Sequence, residues 1–140
     1  MIIIPLLTAI VTQIIKLIID GIPNNLNWQY LLNDYGGWPS SHSALTASLT
    51  LIAGLENGFD SPIFAVCFVL MLIVVRDAIG FRREIGKNST LTNTLAQELF
   101  PANPEIKLRE KIGHTSFEAI SGIIIGVILA FAFYGLMLYL

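Results

Sequence analysis

Ala119 to Leu140 reads AISGIIIGVILAFAFYGLMLYL, 22 residues without a single charge. A helix needs about 20 apolar residues to cross a ~30 Å hydrocarbon layer, so this stretch is long enough to span a bilayer. Ile63 to Val75 (IFAVCFVLMLIVV) is equally unbroken and is expected to continue as helix through Arg76 and Asp77 to Phe81. Met1 to Ile19 contains one charge, Lys16; it lacks a basic start and a small-residue cleavage site, and so reads as a retained anchor. Ser43 to Leu55 (SALTASLTLIAGL) is shorter and rich in Ser, Thr and Ala. Such residues suit a helix enclosed by other helices, where close backbone approach drives association. This helix is expected to begin around Pro39, where a missing N–H is harmless.

Composition agrees. The chain has 140 residues, is 54% hydrophobic and only 13% charged, and its net charge is −2. A soluble domain carries about a quarter charged residues, and no water-facing surface can be built from segments so uniformly apolar. Disorder requires low hydrophobicity and high net charge, the opposite of this chain. The lone cysteine, Cys67, sits in an apolar run and has no intramolecular partner. With no basic tail, nothing points to nucleic acid. The reading is an all-α polytopic membrane bundle of about four transmembrane helices, one domain over residues 1–140, with no internal repeat. A short surface helix is expected within Leu91 to Phe100 (LTNTLAQELF), followed by Pro101, Pro104 and a charged run.

If the four segments alternate, residues 20–42 and 82–117 share one side of the membrane. Lys16, Arg76, Arg82, Arg83, Lys87, Lys107, Arg109 and Lys111 all lie at or near it. An excess of Lys and Arg marks the cytoplasmic side. The same alternation gathers the candidate chemistry at one face: Ser40, Ser41 and His42 before the second helix, Arg76, Asp77, Arg82 and Arg83 at the end of the third, His114 and Glu118 at the start of the fourth. Gly36 and Gly37 ahead of a helix start present backbone N–H groups and a positive helix dipole, an arrangement suited to anions. Arginines add bidentate donors suited to phosphate, although two neighbours on a helix point in different directions. Charge at membrane depth is costly and marks function.

His114 and Glu118, four apart, are expected on one helix face. A carboxylate accepting from one ring nitrogen fixes the tautomer and leaves the other as a nucleophile. His42 is placed to protonate a departing oxygen. Two histidines with an arginine-lined anion site are the parts for phosphoryl transfer through a phosphohistidine.

The runs PSSHSA at 39–44, RDAIGFRREIGKN at 76–88 with Asn93 following, and GHTSFEAISG at 113–122 resemble the divergent branch of the type 2 phosphatidic acid phosphatase superfamily, related to acid phosphatases and vanadium-dependent haloperoxidases. The resemblance covers nearly the whole chain. It implies a phosphatase acting on a lipid phosphate monoester, with membrane lipids as partners and no cofactor or required metal. His42 falls on the general acid of the Pro-Ser-Gly-His motif, with Ser41 in place of glycine. His114 falls on the nucleophile, with Glu118 where the superfamily has aspartate. Arg82 or Arg83 is the implied counterpart of the motif arginine, with Arg109 competing by proximity, and Lys16 stands in for the lysine of the first motif, whose Arg-Pro pair is absent. Asp77 either braces an arginine or holds a divalent cation with Glu118. Vanadate is the implied inhibitor.

Two rival readings stand beside this one: a non-catalytic membrane protein that binds a phosphorylated lipid or ion at a degenerate site, and a small channel lined by His42, Asp77 and His114. Gly122 and Gly126 form a small-residue contact, within the bundle or in a homodimer; four helices are few for a sealed site. Trp28, Tyr30, Tyr35 and Trp38 suit an interfacial aromatic belt, with Trp38 beside the site and within reach of a lipid substrate.

Overall fold

The structure, a computed structural model, describes residues 2–20, 37–101 and 107–139. Trp28, Tyr30, Tyr35, Gly36 and Pro104 lie outside them. Five helices are described: α1 (Ile3–Asp20), α2 (Ser41–Asn57), α3 (Pro62–Ile79), α4 (Phe81–Leu99) and α5 (Ser116–Leu138). Among the described residues there is no strand, and the architecture is an all-α membrane bundle.

The Ser/Thr/Ala helix is the hub. α2 packs against α1, α3 and α5, and Ser43, Ala44, Thr46, Ala47, Ser48, Thr50, Ile52, Ala53 and Gly54 are buried along it. Its hydroxyls are satisfied inside the bundle. Thr50 donates to the Cys67 carbonyl at 3.1 Å, and the Thr8 and Ser48 hydroxyls meet at 3.2 Å. At about 1.5 Å per residue its 17 residues cover roughly 25 Å, which suffices for a helix that meets protein on most sides.

The other bundle helices turn apolar side chains outward. Ile10 and Ile18 on α1, Val66, Leu72 and Ile73 on α3, and Ile124, Ile128 and Phe131 on α5 are all exposed. Of these helices α3 and α5 are long and apolar enough to cross a membrane, and α1 is a shorter apolar helix beside them.

Direction follows from the contacts. Gly122 and Gly126 let α5 approach α2 so closely that a Cβ at either position would strike the backbone of Ser40 or Ala44. Since 122 sits at 40 and 126 at 44, these two helices run parallel. The pairs Thr8 with Ser48 and Gln13 with Ser41 set α1 antiparallel to α2, and Thr50 with Cys67, taken with His42 beside Val74 and Asp77, does the same for α3. The glycine pair therefore works within the bundle.

Three local expectations are corrected. Helix α2 begins at Ser41, with Ser40 as its cap and Pro39 outside. Helix α3 stops at Ile79; Gly80, at φ −104° and ψ −92°, bends the chain, so Arg82 and Arg83 belong to the first turn of α4 rather than the end of α3. The surface helix is a continuous 19-residue element from Phe81, longer than expected because polar Phe81–Asn88 joins it instead of prolonging the apolar span.

Candidate active site

The C-terminal ends of α1 and α3 and the N-terminal ends of α2 and α5 meet at one end of the bundle. There a small cavity of about 10 Å³ is lined by His42, Val74, Asp77, Ala78, Arg82, Gly113 and His114. Two histidines 72 positions apart thus share one wall. The volume is that of a single water. Arg82 Nε donates to Asp77 Oδ2 at 2.5 Å, so Asp77 braces this arginine.

His114 does not lie on the α5 helix. It precedes the N-cap Thr115, whose hydroxyl accepts from the Glu118 N–H at 3.2 Å, while Glu118 Oε2 accepts from the Thr115 N–H at 2.7 Å. This reciprocal capping box folds the Glu118 carboxylate back over the helix start, where Oε2 lies 3.5 Å from His114 Nδ1. The two residues meet through the cap, and the expectation of a shared helix face is replaced by this geometry. His114 is 5% exposed, and Nδ1 is buried beyond good hydrogen-bond length of any acceptor among the described residues. Burial holds the imidazole below its ordinary pKa and the nearby Lys16 charge pushes the same way, against the opposing pull of Glu118.

The segment that delivers His114 is a strap over residues 107–115. The His114 N–H donates to the Ala78 carbonyl at 2.9 Å, fixing the strap to the end of α3. Gly113 has φ +78°, a conformation that favours glycine, and a Cβ there would strike the Arg82–Arg83 backbone. Asn93 holds the other end: its side chain accepts from Leu108 N–H at 2.7 Å and donates to the Leu108 carbonyl at 2.8 Å and to Glu110 Oε1 at 2.7 Å. The sequence reading noted Asn93 without giving it a task. Its signal was present: an amide that both donates and accepts, on a polar helix ahead of a segment without periodicity.

On the far side of His114 opens a larger cleft of about 290 Å³, lined by Gly37, Arg83, Gly86, Lys87, Thr90, Glu110, Lys111, Ile112, Gly113, His114, Thr115 and Glu118. The two neighbouring arginines therefore serve different cavities: Arg82 the inner, Arg83 the outer. Asp77 and Glu118 are likewise divided, and the described residues contain no group of three or more His, Cys, Asp or Glu able to hold a metal ion.

The remaining expected residues are placed as follows. Lys16 is buried in α1, 9% exposed, near enough for its charge to bear on both histidines. Ser40 is fully buried and its hydroxyl caps α2, accepting from Ser43 Oγ at 2.9 Å. Ser41 Oγ donates to Gln13 Oε1 at 2.8 Å. Neither serine lines either of these cavities, and neither do Arg76 or Arg109. Trp38 is half-buried, its Nε1 enclosed without a partner among the described residues.

The chain is 35% identical over 151 residues to the uncharacterized membrane protein YuiD of Bacillus subtilis (strain 168), covering 92% of this chain and 95% of that protein. No solved structure matches it. The model of the divergent PAP2 family matches residues 1–129, which take in α1, both cavities and the start of α5. This PAP2-related membrane protein thus belongs to the divergent PAP2 family.

Proposed function

We propose that the protein is a membrane phosphatase that hydrolyses a lipid phosphate monoester through a phosphohistidine. The observation that carries this reading is the convergence of His42, His114 and Arg82 on one cavity at the end of the bundle, where α2 and α5 direct the positive ends of their dipoles.

In this mechanism the negative charge of Glu118, 3.5 Å from His114 Nδ1, favours the tautomer protonated at that nitrogen, so the Nε2 lone pair attacks phosphorus. The bond from phosphorus to the ester oxygen breaks, and His42 gives its proton to the departing alcohol. Water then attacks the phosphohistidine. The P–N bond breaks, its electron pair returns to Nε2, and the water proton goes back to His42. Arg82 and Lys16 offset the charge on the phosphoryl oxygens. All eight Lys and Arg of the chain lie at the site-bearing end, in Lys16 and in residues 76–111. By the positive-inside rule that end faces the cytoplasm.

A second reading is a non-catalytic receptor for phosphorylated lipid at the same residues. The feature that favours it is the missing Arg-Pro pair of the first motif. Incubation of the purified protein with phosphate-labelled phosphatidic acid separates the two. The phosphatase releases inorganic phosphate and carries an acid-labile, base-stable label that His114→Ala lacks; vanadate suppresses both. A receptor binds the lipid and releases phosphate no faster than His114→Ala.

A further inference from the structure

Lys16 is buried in α1, 9% exposed, and its charge bears on two histidines that other segments supply, His42 from α2 and His114 from the strap. It does so only while α1 keeps its register. A slip of one residue moves a helix about 1.5 Å and turns it by about 100°, enough to swing Lys16 away from the site. Apolar contacts resist such a slip weakly, because in a membrane lipid and side chain are nearly interchangeable neighbours, whereas a directional hydrogen bond between helices selects one register. Deep in the bundle the Thr8 and Ser48 hydroxyls meet at 3.2 Å. At the site end Ser41 Oγ donates to Gln13 Oε1 at 2.8 Å. Thr12, between the two, turns its hydroxyl to the Thr8 carbonyl of its own helix at 2.6 Å. The Gln13 bond therefore joins two residues that each adjoin the chemistry: Ser41 immediately precedes His42, and Gln13 stands three positions before Lys16, on the same side of α1. No other Lys or Arg lies on α1, so nothing on this helix replaces Lys16 once it moves.

We propose that Gln13 is a positioning residue: by holding the Ser41 hydroxyl it fixes α1 against α2 in the register that keeps Lys16 at the two histidines. The kinetic consequence rests on the phosphatase reading, in which Lys16 offsets charge on the phosphoryl oxygens; the placement of the charge does not. Ser41, which stands in place of the motif glycine, thereby gains a task that glycine has no side chain to perform.

The imidazole titration of His114 reads the placement of Lys16 without turnover. It is followed by NMR on the full-length protein in phosphatidylcholine nanodiscs, the signal being assigned by its loss in His114→Ala. The other charges that share a cavity with His114 are Asp77 from α3, Arg82, Arg83 and Lys87 from α4, Glu110 and Lys111 from the strap and Glu118 from α5, and the variants leave all of them in place. Gln13→Met, unbranched and unable to accept the Ser41 proton, is expected to move the titration to higher pH by most of the shift that Lys16→Met produces. Ser41→Ala removes the same bond from the other side and moves it by a similar amount. In a Lys16→Met background Gln13→Met adds no further shift, the non-additivity of residues that act through one another. Ser48→Ala also removes an α1–α2 hydrogen bond, but about 10 Å along α2 from Ser41, and leaves the titration at its wild-type position. For phosphate release, kcat of Gln13→Met is expected to fall by up to about 100-fold, the scale of a misplacement of about 1 Å. A titration unmoved by Gln13→Met overturns the proposal, as does a shift that adds to that of Lys16→Met. An equal shift in Ser48→Ala overturns it too, by revealing a general loosening of the bundle. The full set of shifts in protein that releases no phosphate from any lipid removes the hydrolase and leaves the positioning role.

Discussion

Glu118 Oε2 lies 3.5 Å from His114 Nδ1 while accepting the Thr115 N–H at 2.7 Å. One carboxylate oxygen therefore closes the N-terminus of α5 and stands behind the candidate nucleophile. Helix capping and imidazole orientation are coupled here, since the Thr115 N–H fixes the oxygen that faces Nδ1.

The two tasks separate by substitution. Glu118→Gln keeps an oxygen for the Thr115 N–H but removes the charge beside His114. Phosphate release is expected to drop by up to about 10⁴-fold, the scale seen when the carboxylate behind a catalytic imidazole is changed to an amide, with little change in melting temperature. Glu118→Ala also removes the cap, and its melting midpoint falls by an amount corresponding to about 1 kcal/mol. Equal thermal losses in the two variants would contradict this division.

The pH dependence of His114 has a definite sign. Burial first, and the Lys16 charge second, lower its pKa from an ordinary value of about 6.5. The folded state then binds fewer protons than the unfolded one, so stability rises with pH. The contribution is neutral above about 6.5 and becomes a loss as pH falls from there through the folded-state value. The acid limb of kcat/KM is expected in the same window, as the nucleophile must be unprotonated. Lys16→Met moves the His114 titration, followed by imidazole NMR, to higher pH, and Glu118→Gln moves it lower. A titration unmoved by Lys16→Met would show that its charge does not reach the ring.

Helix contact at the glycines predicts a graded series. Gly126→Val places a side chain against the Ala44 backbone, and overpacking of this kind costs about 1–3 kcal/mol. Gly122→Val strikes Ser40, the residue that caps α2 two positions before His42, so it is expected to lower both the melting midpoint in detergent and phosphate release. Gly135 has open space around it, and Gly135→Val serves as the control with little loss. Similar midpoints in all three variants would place the α2–α5 contact elsewhere.

Asn93 is 4% exposed and makes three hydrogen bonds to the strap. Asn93→Ala leaves these strap groups to water, because residues 107–111 are exposed, at a cost of about 0.5–1.5 kcal/mol for each bond, and releases the segment carrying Lys107, Arg109 and Lys111. Limited trypsin digestion is expected to cut there faster than in the wild type, with α5 still protected. Unchanged cleavage would mean that the contacts of Gly113 and His114 hold the strap by themselves.

The membrane bundle was legible because hydrocarbon imposes a simple rule: uncharged runs of helical length must be helices, and residues 63–75 and 119–140 obey it without reference to any neighbour. The hydroxyl- and alanine-rich run at 43–55 likewise declares its burial, since small residues gain most where backbones approach. Alternation of direction then placed both histidines at one end. The rest hangs on backbone choices without a periodic signature. Whether the helix continues past Ile79 or bends at Gly80 decides that Arg82 meets the histidines while Arg83 faces the outer cleft. The spacing of four between His114 and Glu118 suits a helix face and a capping box equally, and only the start of α5 at Ser116 selects the cap. The partnership of Asn93 with a strap fifteen residues later has no local cause. By itself the sequence determined which segments enter lipid, because that depends on each segment's own transfer from water. Which side chains share a cavity was decided by tertiary structure, because it depends on how helix ends meet and on the few ångströms that glycines allow between them.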